Sequence, residues 1–109
     1  DIGDKVLIKF VDVVKQCIRE NDVFCRIGGE EFILFMPNLV DKELLHKRLD
    51  YIRRKVEQIE PESIGVTGRK ITVSIGASVY TNGQCSEVIK KADEALYTAK
   101  QKRNSVCVK

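Results

Sequence analysis

Residues 28–31 read Gly28-Gly29-Glu30-Glu31, two glycines followed by two adjacent acids. Glycine permits a positive φ and lets a ligand approach the peptide N–H groups closely. Adjacent carboxylates repel each other, so a turn that presents both is steadier with a cation between them. Their hard oxygens suit Mg2+. The segment thus combines donors for a phosphate with ligands for a metal. The same four residues also make an ordinary tight turn with two solvated glutamates, because short motifs recur by chance. On these residues alone both readings stand.

Other residue types narrow the chemistry. Cys17, Cys25, Cys85 and Cys107 form no CxxC pair and have no histidine at zinc spacing. Each has apolar neighbours, where cysteine is usually a small buried hydrophobe, and free thiols fit a reducing cytoplasm. His46 is the only histidine and is expected at the surface. The net charge of +3 is spread along the chain, which argues against a stripe for a nucleic-acid polymer. With 109 residues, 43% of them hydrophobic, the chain has the size and composition of one globular domain. No apolar run approaches the ~20 residues that span a bilayer, and a secretory signal is not expected.

The elements around the acidic segment follow from periodicity. Val6, Leu7, Phe10, Val11, Val14, Cys17 and Ile18 recur at three and four, predicting a helix with Asp4 near its positive end. Arg19-Glu20-Asn21-Asp22 should end it, since Asn and Asp favour turns. Val23–Ile27 and Phe32–Met36 read as strands, so the glycines and acids form a hairpin tip. The second strand is apolar on both faces, which predicts that both are covered. Arg26, beside the tip, reads as a structural strand residue. Leu45, Leu49, Ile52, Val56 and Ile59 predict an amphipathic helix over 41–59. Residues 60–68 read as loop, Ile71–Val79 as an alternating strand, and Asn82-Gly83 as a turn. A last helix capped by Ser86 carries Val88, Ile89, Ala92, Ala95, Leu96 and Ala99, and 105–108 is a short strand. The order α-β-β-α-β-α-β predicts an α/β chain, an α+β sandwich.

Gly28-Gly29-Glu30-Glu31-Phe32 resembles the signature of the GGDEF family of diguanylate cyclases, in its GGEEF variant. Asp1-Ile2-Gly3-Asp4-Lys5-Val6-Leu7 is similar to the family's G-D-x-V-L helix start, with Asp4 twenty-four residues before Gly28. Thr72-Val73-Ser74-Ile75-Gly76 is similar to its T-V-S-I-G strand. Ala92-Asp93-Glu94-Ala95-Leu96-Tyr97 with Ala99-Lys100 resembles A-D-x-A-L-Y-x-A-K, and Arg103-Asn104 the closing R-N. The resemblance implies a central, mainly antiparallel sheet flanked by helices.

It also implies a chemistry. Two GTP molecules would be joined into cyclic di-GMP with release of pyrophosphate, each protomer of a two-fold homodimer presenting one nucleotide. Two divalent ions per active site, Mg2+ or Mn2+, would neutralise the phosphates. By this likeness Glu30 is a metal ligand with a part in deprotonating the attacking hydroxyl. Glu31 is a further ligand or the base, and Gly28 and Gly29 leave room for the phosphates. Asp4 matches the acceptor of guanine N1–H and the 2-amino group, a donor pair that adenine lacks; alone it would read as a helix cap. Lys100 and Arg103 match residues on the terminal phosphates. Here the spacing departs from the family's A-K-x-x-G-R-N: Ala99-Lys100-Gln101-Lys102-Arg103-Asn104 is one residue shorter and has no glycine.

Arg19-Glu20-Asn21-Asp22 has the form R-x-x-D, with Asp22 six residues before Gly28. This resembles the family's inhibitory site for its own product: Arg19 would hold phosphate and guanine while Asp22 accepts from the guanine edge. The plainer alternative is a basic residue at a helix C-terminus and a turn aspartate. The family's strand and helix bearing D-x-D-x-F-K-x-I-N-D are not found within residues 1–109, whether omitted, supplied by a swapped copy or truly absent. Residues 1–109 are therefore expected to be one GGDEF domain, incomplete at its N-terminus, with two neighbouring strands short of a partner and no synthesis by the fragment alone. The resemblance further implies an upstream sensory or receiver domain and a cytoplasmic location. The alternative is a module that binds GTP or cyclic di-GMP without turnover.

Overall fold

A computed structural model of the chain describes residues 2–68, 70–80 and 85–109. The predicted Asn82-Gly83 turn lies outside them. Helix α1 spans Ile2–Cys17, and the hairpin follows as β1, Val23–Gly28, and β2, Glu31–Phe35. Helix α2 spans Lys42–Glu57, and β3 is Ile75–Ala77. Helix α3 spans Cys85–Lys102 and β4 is Val106–Val108. The predicted order is thus the observed order.

Local chemistry explains the boundaries. Asp41 precedes α2 in extended backbone, and its Oδ1 accepts from the amides of Glu43 at 2.9 Å and Leu44 at 3.2 Å. Two otherwise orphaned donors are thereby satisfied. Asp4 lies inside the first turn of α1, and α3 begins at Cys85, which puts Ser86 inside the helix instead of at its cap. The predicted loop at 60–68 contains a short 3-10 helix, Pro61–Ile64, started by a proline whose fixed φ suits a first helical position.

The core lies between α1, α2 and one face of the strands. Val14, Leu45, Leu49, Ile52, Val56 and Ile59 are buried together, with Phe24, Leu34, Ile75, Val106 and Val108 packed against them. Two strand pairs face this layer. β1 and β2 are antiparallel, while β3 and β4 are parallel and in register from Ile75–Val106 to Ala77–Val108. No ladder joins the pairs among the described residues. The α+β class holds, but the one mainly antiparallel sheet appears as two pairs, one of them parallel. The predicted strand at 71–79 shrinks to three paired residues, because β4 offers a ladder only there.

Helix α3 covers β3 from the face opposite α2, through small residues. Ala95 and Ala99 are fully buried, and Gly76 lies directly under the helix. A Cβ at Gly76 would overlap the Leu96 backbone and stand 2.6 Å from the Ala92 carbonyl oxygen. Among the described residues nothing comparable covers the hairpin on its outer side. Val23, Ile27, Ile33 and Phe35 are 44–63% exposed, so the second strand has only one covered face, contrary to its two-sided apolar pattern. Cys25 shares this open side and is exposed, as is Cys85 at the start of α3; Cys17 and Cys107 are half-buried.

A polar clasp ties the end of α3 to α2. The Asn104 side-chain amide donates to Glu57 Oε2 at 2.6 Å and accepts from Arg53 Nη1 at 3.1 Å. Arg53 Nε donates to Asp50 Oδ1 at 2.7 Å, a bond that holds the Asp50 carboxyl below the usual carboxylate range. The close seat of α3 on Gly76 sets a test. Gly76→Ala should cost at least about 2 kcal/mol, since α3 must lift to admit one methyl. Urea unfolding of the pair measures it, and a change below about 0.5 kcal/mol, the range of a surface substitution, would contradict the packing.

Candidate functional site

The hairpin carries the acidic segment at its tip. Its ladder pairs Val23 with Phe35 and continues to Arg26 with Phe32. The register then slips, so that Gly28 pairs with Glu31 and a bulge lies between Arg26 and Gly28. Gly28 and Glu31 thus belong to the strands, and Gly29-Glu30 alone make the turn. Gly29 has φ +54°, a left-handed conformation that glycine takes without steric cost.

Glu30 and Glu31 are both exposed. The ion pairs among the described residues join other groups, leaving the two tip carboxylates uncovered. A Cβ at Gly28 would meet nothing within 4 Å, and Gly28 has no positive φ. The fold itself therefore places no demand for glycine at 28. Open space at the backbone beside two carboxylates is what an approaching phosphate–metal group would use. No cluster of three or more potential ligands forms among the described residues, and Mg2+ typically takes one or two carboxylates and completes its shell with water and substrate phosphates. The tip fits a Mg2+-nucleotide on these grounds.

The R-x-x-D segment lies at the other end of the hairpin. By strand rise, Asp22 and Gly28 are roughly 20 Å apart. The Arg19 amide donates to Asp22 Oδ2 at 2.8 Å, and Arg19 Nη2 lies 3.5 Å from Oδ1. The same Nη2 donates to the Pro37 carbonyl, just after β2, at 3.2 Å. Arg19 is 45% exposed, whereas the Asp22 side chain has no exposure at all. The expected role of Asp22, accepting from a guanine edge, meets a carboxylate that already has a partner. Its carboxylate is turned inward and used on Arg19, so it holds the arginine and presents no free acceptor to a guanine. A cavity of about 230 Å³ beside it is lined by Arg19, Glu20, Asn21, Pro37 and Asn38.

The remaining predicted residues are not gathered at the tip by any described bond. Asp4 is exposed in the first turn of α1, and Lys100 is exposed in the last turn of α3. Arg103 follows the end of α3 with φ +66°, its amide donating to the Ala99 carbonyl at 2.8 Å. The missing glycine explains this. A helix commonly closes on a left-handed residue, usually glycine, and here Arg103 itself takes that conformation. Asn104 follows at φ +46°, where asparagine is tolerated. Sequence reasoning gave Asn104 no role beyond the closing pair. Its signal, a polar residue just past a helix end, is too common to single out.

An α+β layer with two open acids on a glycine hairpin tip defines a class of domain already known from solved structures. The GGDEF domain of DgcB from Caulobacter crescentus, solved in complex with c-di-GMP, superposes with a TM-score of 0.85 at 29% identity. That match covers 97% of this chain and 62% of the other. The active GGEEF domain of a diguanylate cyclase from Vibrio cholerae gives 0.83 at 27% identity, over 97% and 67%. Residues 1–105 match the family model described as diguanylate cyclase, GGDEF domain. The chain belongs to the GGDEF domain family.

Among curated relatives, diguanylate cyclase A of Treponema denticola is 38% identical over 95% of this chain and 28% of its own length. Response regulator PleD of Caulobacter vibrioides is 38% identical over 97% and 24%. The chain spans between 16% and 28% of the first three curated relatives it matches. No helix among the described residues is long and apolar enough to cross a membrane.

The left-handed Arg103 gives the site its own test. Arg103→Gly should stabilise the domain by about 0.5–1 kcal/mol, the left-handed strain relieved less the entropy glycine adds to the unfolded chain. A destabilised variant in urea unfolding would show that Arg103 makes contacts worth more than the strain.

Proposed function

We propose that the domain condenses two GTP molecules into cyclic di-GMP within a two-fold dimer, with release of pyrophosphate. The observation that carries this reading is the tip: two uncovered carboxylates beside a glycine that the fold does not require. In this reading Glu30 and Glu31 hold Mg2+ or Mn2+, two ions per site, and the ions neutralise phosphate charge. Glu30 takes part in removing the proton of the attacking 3′-hydroxyl. Gly28 and Gly29 admit the phosphates, Asp4 accepts from the guanine edge, and Lys100 and Arg103 reach the terminal phosphates. Charge neutralisation and positioning supply most of the rate in such transfers.

Arg19 serves a second, inhibitory site for the product. Its partial exposure and the adjoining cavity support this, and Asp22 acts by fixing its guanidinium. The whole protein couples the domain to an upstream sensory or receiver module in the cytoplasm.

A second reading, a module that binds GTP or cyclic di-GMP without turnover, draws on Arg103. Its left-handed backbone after a shortened helix end departs from the family spacing and alters the presentation of a phosphate-side cation.

Incubation of the full-length protein with GTP and Mg2+ separates the two. The proposal expects cyclic di-GMP, a loss of at least about a hundredfold in Glu30→Gln, and an unchanged fold. Nucleotide binding without product would establish the second reading. Arg19→Ala should weaken cyclic di-GMP binding by tenfold or more, about the 1.4 kcal/mol of a charge-assisted contact; unchanged affinity would remove the inhibitory site.

A further inference from the structure

The bulge that precedes the tip leaves a mechanical question. Regular pairing stops at Arg26–Phe32, so the residues that carry the acids hang from an irregular joint. Gly29, in the middle of that segment, is the residue type with the widest conformational range. A ladder alone does not hold its peptide in one orientation.

The Arg26 side chain does. Its Nε donates to the Gly29 carbonyl oxygen at 2.8 Å, a bond strengthened by the guanidinium charge. The Gly29 carbonyl and the Glu30 N–H belong to one planar peptide unit and point in opposite directions. Fixing the oxygen therefore fixes the direction of the Glu30 amide and the starting orientation of its side chain. Arg26 makes no ion pair with either acid among the described residues. It braces the backbone and leaves both carboxylates open.

We infer that Arg26 is a positioning residue for the tip, setting the Gly29–Glu30 peptide so that the acids are presented in one geometry. Its effect on turnover rests on the cyclase reading, whereas its effect on tip order does not. Arg26 is exposed, so Arg26→Met keeps most of the stem, removes the donor and leaves the core intact.

The test compares full-length parent and Arg26→Met by NMR order parameters at the Gly29 and Glu30 amides and by GTP turnover. Order parameters near about 0.8 in the parent should fall below about 0.6 in the variant, from rigid to flexible. The kcat should fall by about tenfold or more from lost alignment, while KM for GTP stays within about threefold, as for an interaction absent from ground-state binding. Unchanged order parameters would overturn the inference, and so would a disordered tip with undiminished kcat. A parent that makes no product would defeat the cyclase reading, and the order parameters alone would then decide the role of Arg26.

Discussion

Three phenylalanine rings fasten the hairpin to the body of the domain, and the placement of both candidate sites depends on them. Phe24 and Phe32, from the two strands, stack with centroids 5.1 Å apart and planes 10° from parallel. Phe10 of α1 meets Phe32 at 5.1 Å and Phe24 at 6.2 Å, tilted in both cases. Such pairs contribute about 0.5–1.5 kcal/mol each beyond the area they bury. Because the outer side of the hairpin is open, this inner aromatic contact, with Leu34 and Met36, carries the seating of both strands. The tip acids project from one end of the seated ribbon and Arg19 grips the other through Pro37.

The second half of the domain is built on a different principle. Between α3 and β3 the contact is backbone-close and depends on Gly76, Ala95 and Ala99 having little or no side chain. The Arg53–Asn104–Glu57 clasp then fixes where α3 ends. That end bears Lys100 and Arg103. The hairpin tip is thus placed by large rings and the end of α3 by the absence of side chains, and both are anchored on the elements that enclose the core.

Much of this was legible in the sequence, and the failures share physical causes. Helices α1 and α2 were visible because their apolar residues recur on one face, and the hairpin because two apolar runs flank a glycine turn. Pattern alone could not show that Ile33 and Phe35 lie open: apolar residues record affinity for a cover, not whether one is present. It overextended β3, since a ladder needs a partner backbone and β4 supplies only three residues. Within R-x-x-D the spacing could not show that Asp22 turns inward onto Arg19, because that turn depends on local backbone bonds. The departure at Arg103 was visible as a lost glycine. Its consequence, an arginine in left-handed backbone, follows only from seeing where the helix stops.

The central claim is that the hairpin tip, and no other acidic surface, receives the divalent ion that accompanies the nucleotide. A rival exists in the cavity of about 410 Å³ lined by Glu57, Glu60 and Glu62 beside the end of α2. Titrating Mn2+ into the isotopically labelled full-length protein with a non-reactive GTP analogue distinguishes them, because the paramagnetic ion broadens nearby amide signals. The account predicts that Gly29, Glu30 and Glu31 broaden first. Loss of the Glu57, Glu60 and Glu62 signals while the tip remains sharp would contradict it.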